Sequence, residues 1–309
     1  MRLKIGVLAF LAVVAISPSL IGEDTLSRSW FIYEQGNASL ARKEYGQALK
    51  FYKDAIGIAG IFPEAEMGLG DVYLAEGEFA IARAQYEKAY NMRNGFYIAD
   101  MKYDVLYKLA RLFENQDLYK LMEDRLNAIV ADDRHFAETP NSQMRTQVEK
   151  NYLQKGLDHV LLLYGFNDAF AMNAHSKLGW FYYRTGRYSQ SISHLLYSTV
   201  SRVSQINAYL RESDIEYQFT TLQDMLAAVA GSPDLARYVA ASDLFKDLYY
   251  LAGSTFANGY PAHAMAAWKL IAGQASAGVY QEMSRKQLRK PGIEPLIGTA
   301  PGNGNKTSY

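Results

Sequence analysis

Cysteine is absent from the 309-residue sequence. A chain without cysteine has no disulfide framework, no thiolate metal site and no cysteine nucleophile. It also lacks the lipid-bearing cysteine of a bacterial lipoprotein. These classes are therefore excluded before any motif is considered.

An excess of charge of either sign is also missing, because 32 lysine and arginine residues face 32 aspartate and glutamate residues. A nucleic-acid-binding protein is expected to carry a basic face. The short basic cluster over 285–290 is more typical of a solvated helix end. We therefore expect no nucleic-acid partner.

Motifs for chemistry are scarce. The five histidines have neither the spacing of a zinc-binding helix nor a fixed acidic neighbour, so we interpret each as a surface or packing residue. They are His135, His159, His175, His194 and His263. The group Asp132, Asp133 and His135 is more typical of a solvated loop than of a metal site. We expect no catalytic residue, no cofactor and no metal, and predict that the protein is not an enzyme.

The amino terminus contains an apolar run that is too short for an ordinary membrane span. Arg2 and Lys4 precede eleven apolar residues from Gly6 to Ile16. This layout predicts a secretory signal over residues 1–22, cleaved near Gly22, with an uncleaved membrane anchor as the alternative. Its removal leaves about two more acidic than basic residues. An exported protein without cysteine fits the periplasm, which is the predicted location.

A 34-residue period is the strongest positive pattern. Four residues of one copy recur in the next: Gly36, Ala48, Tyr52 and Ala55 reappear as Gly70, Ala82, Tyr86 and Ala89. The apolar residues over 47–58 follow three-and-four spacing, which predicts an amphipathic helix. One helix pair cannot bury its apolar face alone, so a repeat of this length predicts stacked pairs.

A third copy follows later in the chain, with Leu178, Gly179, Tyr182, Gly186 and Tyr188. Weaker copies cover 106–130 and 248–272. This order of small and aromatic residues resembles the tetratricopeptide repeat. The resemblance implies an all-α fold, a right-handed superhelical solenoid of helix-turn-helix repeats with inserted and capping helices.

The organisation along the chain follows from these segments. We predict the signal over 1–22, tetratricopeptide-like repeats over 23–130, a linker loop and helix over 131–168, further repeats with inserted helices over 169–290, and a disordered tail over 291–309. One helix is predicted from about Gln143 to Tyr164 and a break near 211–214. Gly231, Ser232 and Pro233 predict a helix stop, a cap and a new helix start.

The resemblance also implies that the first helix of each pair faces a concave groove. The predicted groove residues are Tyr33, Asn37, Leu40, Met67, Asp71, Leu74, Trp180, Tyr183, Tyr249 and Phe256. A chaperone-tail carboxylate is excluded as the ligand, because Asp71 would repel it where the family has an asparagine. The alternative for the aromatic residues is packing against the inserted helices.

These features predict a non-catalytic adaptor or assembly scaffold of the cell envelope that binds a protein or peptide in the groove. Self-association through the same surface is a variant. The alternative function is a ligand-binding or transporter-associated periplasmic component. In that case the inserted helices would close a pocket around Trp180, Tyr183 and Tyr209. A membrane contact is expected only through an uncleaved N-terminal segment.

Overall fold

The computed structural model describes residues 18–137, 143–166 and 169–294, with side chains from Thr25 onward. Within these ranges the protein is all-α, as predicted: it has fifteen α-helices, two 3-10 turns and no strand. None of these helices is long and apolar enough to cross a membrane. Most of the predicted signal (1–17) and most of the predicted tail (295–309) lie outside the described residues.

The chain forms two compact units that divide between Val105 and Leu106. The first unit contains four complete helices and the start of a fifth. These are α1 (Pro18–Ala41), α2 (Tyr45–Ala59), α3 (Pro63–Ala75), α4 (Phe79–Asn91) and α5 (Met101–Glu114). A 3-10 turn over Arg93–Gly95 follows α4.

The second unit contains the end of α5 and ten further helices. These are α6 (Tyr119–Val130), α7 (Met144–Lys155), α8 (Leu157–Leu163), α9 (Ala169–Arg184), α10 (Tyr188–Ser213), α11 (Leu222–Ala230), α12 (Pro233–Ala241), α13 (Leu244–Ala257), α14 (Pro261–Ala272) and α15 (Val279–Arg289). A 3-10 turn over Ala275–Ala277 precedes α15.

Five helix pairs share one turn geometry: α1/α2, α3/α4, α5/α6, α9/α10 and α13/α14. The turn residue with positive φ is Lys43, Gly77, Asp117, Gly186 or Gly259, respectively. In every pair the next backbone N–H donates to the carbonyl five residues earlier, at 2.8 to 3.0 Å. This is the Schellman pattern that ends a helix, and it reverses the chain the same way each time.

Glycine on the first helix of a pair makes room for an aromatic ring on the second. A Cβ at Gly36 would lie 2.6 Å from the Tyr52 ring, and one at Gly70 would lie 2.5 Å from the Tyr86 ring. Both tyrosine hydroxyls then donate to the side chain that follows the glycine. Tyr52 donates to Asn37 at 2.8 Å and Tyr86 donates to Asp71 at 2.7 Å. The 34-residue period therefore reproduces one contact twice.

The predicted helix over 143–164 is broken in the structure. Gly156 has φ +87°, a conformation that ends α7 and starts α8. Other boundaries match the sequence more closely: α10 ends at Ser213, inside the predicted break, and α12 begins at Pro233. Ser232 precedes that proline, but its side chain makes no capping hydrogen bond.

A buried ion pair joins three helices in the core of the second unit. Asp247 on α13 accepts a hydrogen bond from Arg202 Nε on α10 at 3.0 Å and another from Ser176 on α9. Arg202 also donates to Asn173 at 3.1 Å. Both charges are almost fully buried. Removing Arg202 would leave Asp247 without its counter-charge, whereas removing Asp247 would leave Arg202 only the half-exposed Asp243 carboxylate, 3.7 Å away.

Candidate functional site

The predicted groove residues of the first unit are partly used for internal packing. Tyr33 is buried, with ring centroids 5.3 Å from Trp30 and 5.4 Å from Phe62, and Met67 is also buried. The other four are half-buried: Asn37, Leu40, Asp71 and Leu74. Because Asn37 and Asp71 accept the tyrosine hydroxyls of the second helices, their oxygens support the repeat.

The predicted groove residues of the second unit are also unequal in exposure. Tyr183 and Tyr249 are buried, whereas Trp180 and Phe256 are half-buried. The Lys246 ammonium lies 5.9 Å from the Trp180 ring. Tyr209, the third residue of the alternative pocket, lies against a ring of α12 instead, 5.7 Å from Tyr238.

A segment of the chain itself lies on Tyr183 and Tyr249. After α15, the backbone N–H of Glu294 donates to the Tyr183 hydroxyl at 3.0 Å, and its carboxylate lies 3.2 Å from Arg184. Gln287 of α15 donates to the Tyr249 hydroxyl at 3.3 Å. Residues 291–294, the start of the predicted disordered tail, therefore contact the helices through hydrogen bonds and an ion pair. We call residues 291–294 the C-terminal strap.

The strap is held through its main chain as well as its acidic side chain. The N–H of Gly292 donates to Gln287 Oε1 at 2.9 Å. Burial raises the pKa of Tyr183 to about 12, despite the hydrogen bond from the Glu294 backbone. Burial also raises the pKa of Tyr249. Both hydroxyls are therefore neutral at physiological pH and can each accept and donate a hydrogen bond.

A second cluster lies elsewhere in the same unit, where three side chains form a hydrogen-bonded chain. Asp133, in the loop after α6, lies 3.2 Å from Nε2 of His175 on α9. Nδ1 of His175 lies 3.0 Å from Nδ1 of His194 on α10. Asp133 also accepts the backbone N–H groups of His135 and Phe136 at 2.8 and 3.3 Å.

The protonation state of this chain follows from burial. Desolvation lowers the pKa of His175 and lowers the pKa of His194 well below its ordinary value, the latter aided by the neighbouring His175 and Arg145. Burial opposes ionisation of Asp133, but hydrogen bonds from His175 and the backbone outweigh it and lower the pKa of that carboxyl. Asp133 is thus a carboxylate beside two neutral imidazoles.

With both rings neutral, only one arrangement of ring protons satisfies these contacts. The Asp133 carboxylate can only accept, so His175 Nε2 carries a proton and donates to it. His175 Nδ1 is then the acceptor of the second contact, and His194 Nδ1 carries the proton of that hydrogen bond. The remaining nitrogen, His194 Nε2, therefore has a free lone pair. His194 lines a cleft of about 530 Å³ between α6, α7 and α10, with Glu123, Asn127, Arg145 and Gln190 among its other lining residues.

The sequence does not predict this cluster. Asp133, which the sequence indicates as part of a solvated loop, is buried, and the interpretation is wrong for that residue. His175 and His194 lie 19 positions apart on the two helices of one pair, and Asp133 lies 42 positions before His175. No short motif links such positions. In the described part of the chain, no group of three acidic or histidine residues is arranged to hold a metal ion.

Comparison with known proteins gives relatives without a stated activity. No family model matches the chain. An uncharacterized protein of Treponema pallidum (strain Nichols) is 24% identical over 249 residues, which cover 78% of this chain and 64% of that protein. An uncharacterized protein of Borreliella burgdorferi is 23% identical over 291 residues, which cover 84% of this chain and 89% of that protein. The chain therefore spans less than two thirds of the length of the Treponema protein.

Proposed function

We propose that this chain is a tetratricopeptide-like solenoid of the cell envelope that binds a non-helical segment of a protein partner, without chemical turnover. One observation carries the proposal: the C-terminal strap lies on two predicted groove residues, Tyr183 and Tyr249, as a bound peptide would. A surface that accepts a segment of its own chain has the chemistry to accept a similar segment of another chain.

The contacts to the strap are those expected of peptide recognition. Two backbone N–H groups, of Gly292 and Glu294, donate to side-chain acceptors of the helices. Such main-chain bonds give affinity without demanding a sequence, and a side-chain contact adds selectivity. Here that contact is the ion pair between Arg184 and the Glu294 carboxylate. The preferred partner segment is therefore acidic at one position.

The covalent link between the strap and the helices makes the strap a strong competitor of any partner segment for the same site. A short tether holds a segment at an effective concentration of about 1 mM. If the free segment bound with a Kd of about 10 μM, the tethered strap would occupy its site about 99% of the time. A partner must then bind more tightly than the strap, or the strap must be released first.

Peptide binding in trans tests this proposal. The probe is a fluorescein-labelled peptide of residues 289–296, RKPGIEPL, titrated against the full-length protein and against a protein that ends at Lys290. We expect fluorescence anisotropy to show binding to the shortened protein and at least about tenfold weaker binding to the full-length protein, because only the latter retains its own strap.

The Arg184 contact provides the control for specificity. Replacing Arg184 by Gln in the shortened protein is expected to weaken binding about tenfold, since a hydrogen bond to a charged group contributes about 1.5–3 kcal/mol. Arg285→Gln is the matched control, because Arg285 pairs with Glu282 on its own helix. A shortened protein that is folded by circular dichroism and binds no peptide would contradict the proposal.

Export to the periplasm is part of the same proposal. It is supported by the signal-like order of charge, apolar run and small residues over 1–22. Mass spectrometry of protein purified from its native membranes and periplasm tests it. A mature chain beginning near Glu23 in the soluble periplasmic fraction is the expected result. An intact N-terminus in the membrane fraction would identify the anchored form instead.

A ligand-binding or transporter-associated component is the second candidate function. The cleft beside His194 favours it, because Arg145 and Thr146 of α7, from the predicted linker segment, form one of its walls. Its volume of about 530 Å³ is within the range of small-molecule sites, about 300–1,000 Å³. Native mass spectrometry tests this function: a small molecule that copurifies with the protein supports it, and a protein without any bound mass opposes it.

A further inference from the structure

The cleft beside His194 contains one acceptor whose orientation is fixed. His194 is 6% exposed and His175 is 1% exposed, so neither ring can turn freely. The Nδ1 atom of His194 is held by His175 at 3.0 Å. Because His194 lines the cleft, its Nε2 is an immobile hydrogen-bond acceptor there. The best partner of this atom is an O–H or N–H group of a ligand.

The charges around the cleft are balanced. Glu123 is paired with Arg187 at 2.7 Å and also accepts the Tyr182 hydroxyl at 3.1 Å. The other lining charges, Arg145 and Glu149, are one of each sign on α7. A balanced lining gives neither an anion nor a cation a net electrostatic gain to offset the loss of its hydration. The cleft is therefore suited to an uncharged ligand.

The remaining lining groups mainly offer hydrogen-bond acceptors, because Asn127 already donates to Tyr182, Ser189 to Asn258 and Ser193 to the Ser189 carbonyl. They include the amides Asn127 and Gln190 and the hydroxyls of Ser189 and Ser193. The Phe136 ring contributes no open stacking face, because the Arg145 guanidinium lies 4.9 Å from its centroid and the two histidine rings pack against it at 4.6 and 4.7 Å. A ligand that fits is small and rich in hydroxyl groups, since each hydroxyl can donate and accept.

From this geometry we propose that the cleft beside His194 binds a small, uncharged, polyhydroxylated molecule, a sugar or a polyol, with one ligand hydroxyl donating to His194 Nε2. This inference rests on the second candidate function and names its ligand class. It is independent of the C-terminal strap, which contacts Tyr183, Arg184 and Gln287 instead.

Calorimetric titration of the full-length protein tests the proposal. The probes are D-glucose, N-acetyl-D-glucosamine and myo-inositol, with inorganic phosphate and putrescine as charged comparisons. We expect at least one of the three uncharged probes to bind. The ¹⁵N signal of the unprotonated ring nitrogen of His194 should shift when that probe is added, because the lone pair becomes hydrogen-bonded.

Two substitutions locate the bound probe. His194→Gln replaces the rigid ring acceptor by a flexible amide, and Gln190→Ala removes an exposed amide of the cleft, so the second variant remains informative if the first fails to fold. Each is expected to weaken binding about tenfold. The matched control is Gln154→Ala, an exposed amide of α7 outside the cleft lining, and it should leave affinity unchanged.

Three results would overturn the inference. Binding that neither His194→Gln nor Gln190→Ala weakens would place the sugar elsewhere. Binding of phosphate or putrescine alone, weakened by Gln190→Ala, would reject the ligand class but keep a ligand-binding function. Absence of binding by all five probes, with no copurifying small molecule, would reject the second candidate function as well.

Discussion

The two buried histidines predict that the protein loses stability on mild acidification. In the unfolded chain each imidazole is protonated as the pH falls through about 6.5. In the folded protein, burial lowers the pKa of both His175 and His194. The unfolded state therefore binds more protons below pH 6.5, and the free energy of unfolding falls as the pH falls. Arg145 strengthens the effect at His194, and Asp133 weakens it at His175.

The size of the loss follows from proton linkage. One histidine that stays neutral in the folded state lowers the free energy of unfolding by about 1.4 kcal/mol between pH 7.5 and 5.5. Two such histidines lower it by at most about 2.7 kcal/mol. The larger share is expected for His194, whose pKa burial lowers well below its ordinary value. A smaller share is expected for His175, because the Asp133 carboxylate favours protonation of His175. A loss of this size is a large share of a typical stability of 5–15 kcal/mol.

Urea unfolding followed by circular dichroism at pH 7.5, 6.5 and 5.5 measures the effect. His194→Gln should reduce the pH-dependent loss by at most about 1.4 kcal/mol, whatever its effect on the free energy of unfolding at pH 7.5. His159→Gln is the matched control, because His159 is outside the hydrogen-bonded chain. If the His194 variant kept the full pH dependence of the parent, the assignment of a neutral buried histidine would be refuted.

Two further predictions concern packing. Asp247→Asn should lower the free energy of unfolding by about 3 kcal/mol, because it leaves the buried Arg202 guanidinium with only the half-exposed Asp243 carboxylate, 3.7 Å away; an unchanged urea midpoint would contradict this. Gly70→Ala should cost about 1–3 kcal/mol, because its Cβ would overlap the Tyr86 ring. Gly46→Ala, with no atom within 4 Å of the new Cβ, should be neutral or stabilising in the same thermal melt.

The repeated helix pairs were predictable because their causes are local. A glycine on one helix, a tyrosine 16 positions later and a turn between them are readable in the sequence, and Gly36 with Tyr52 shows the contact they encode. The equivalent turns at Lys43 and Asp117 carry no glycine, although both have positive φ. The turn residue alone therefore does not identify the repeat, and the glycine and tyrosine positions on the two helices carry the pattern.

The two candidate sites were less predictable because they join distant positions. The histidine chain needs a loop residue, Asp133, to meet residues of two later helices. The C-terminal strap is rich in glycine and proline, so its composition predicts disorder. Its contacts are with Tyr183 and Arg184, which lie about 110 positions earlier in the chain. Composition alone does not reveal such contacts.

Partner capture with chemical cross-linking tests the central claim most directly. The baits are the full-length protein, the protein that ends at Lys290, and the shortened protein with Arg184→Gln, each exposed to the same envelope extract. If the strap site binds a peptide, one protein of the extract should be enriched on the shortened bait relative to the full-length bait. That protein should be cross-linked at Lys286 or Lys290, beside the strap site. It should no longer be captured when Arg184 is replaced by Gln. Identical captures by all three baits would contradict the claim that the strap site is where the partner binds.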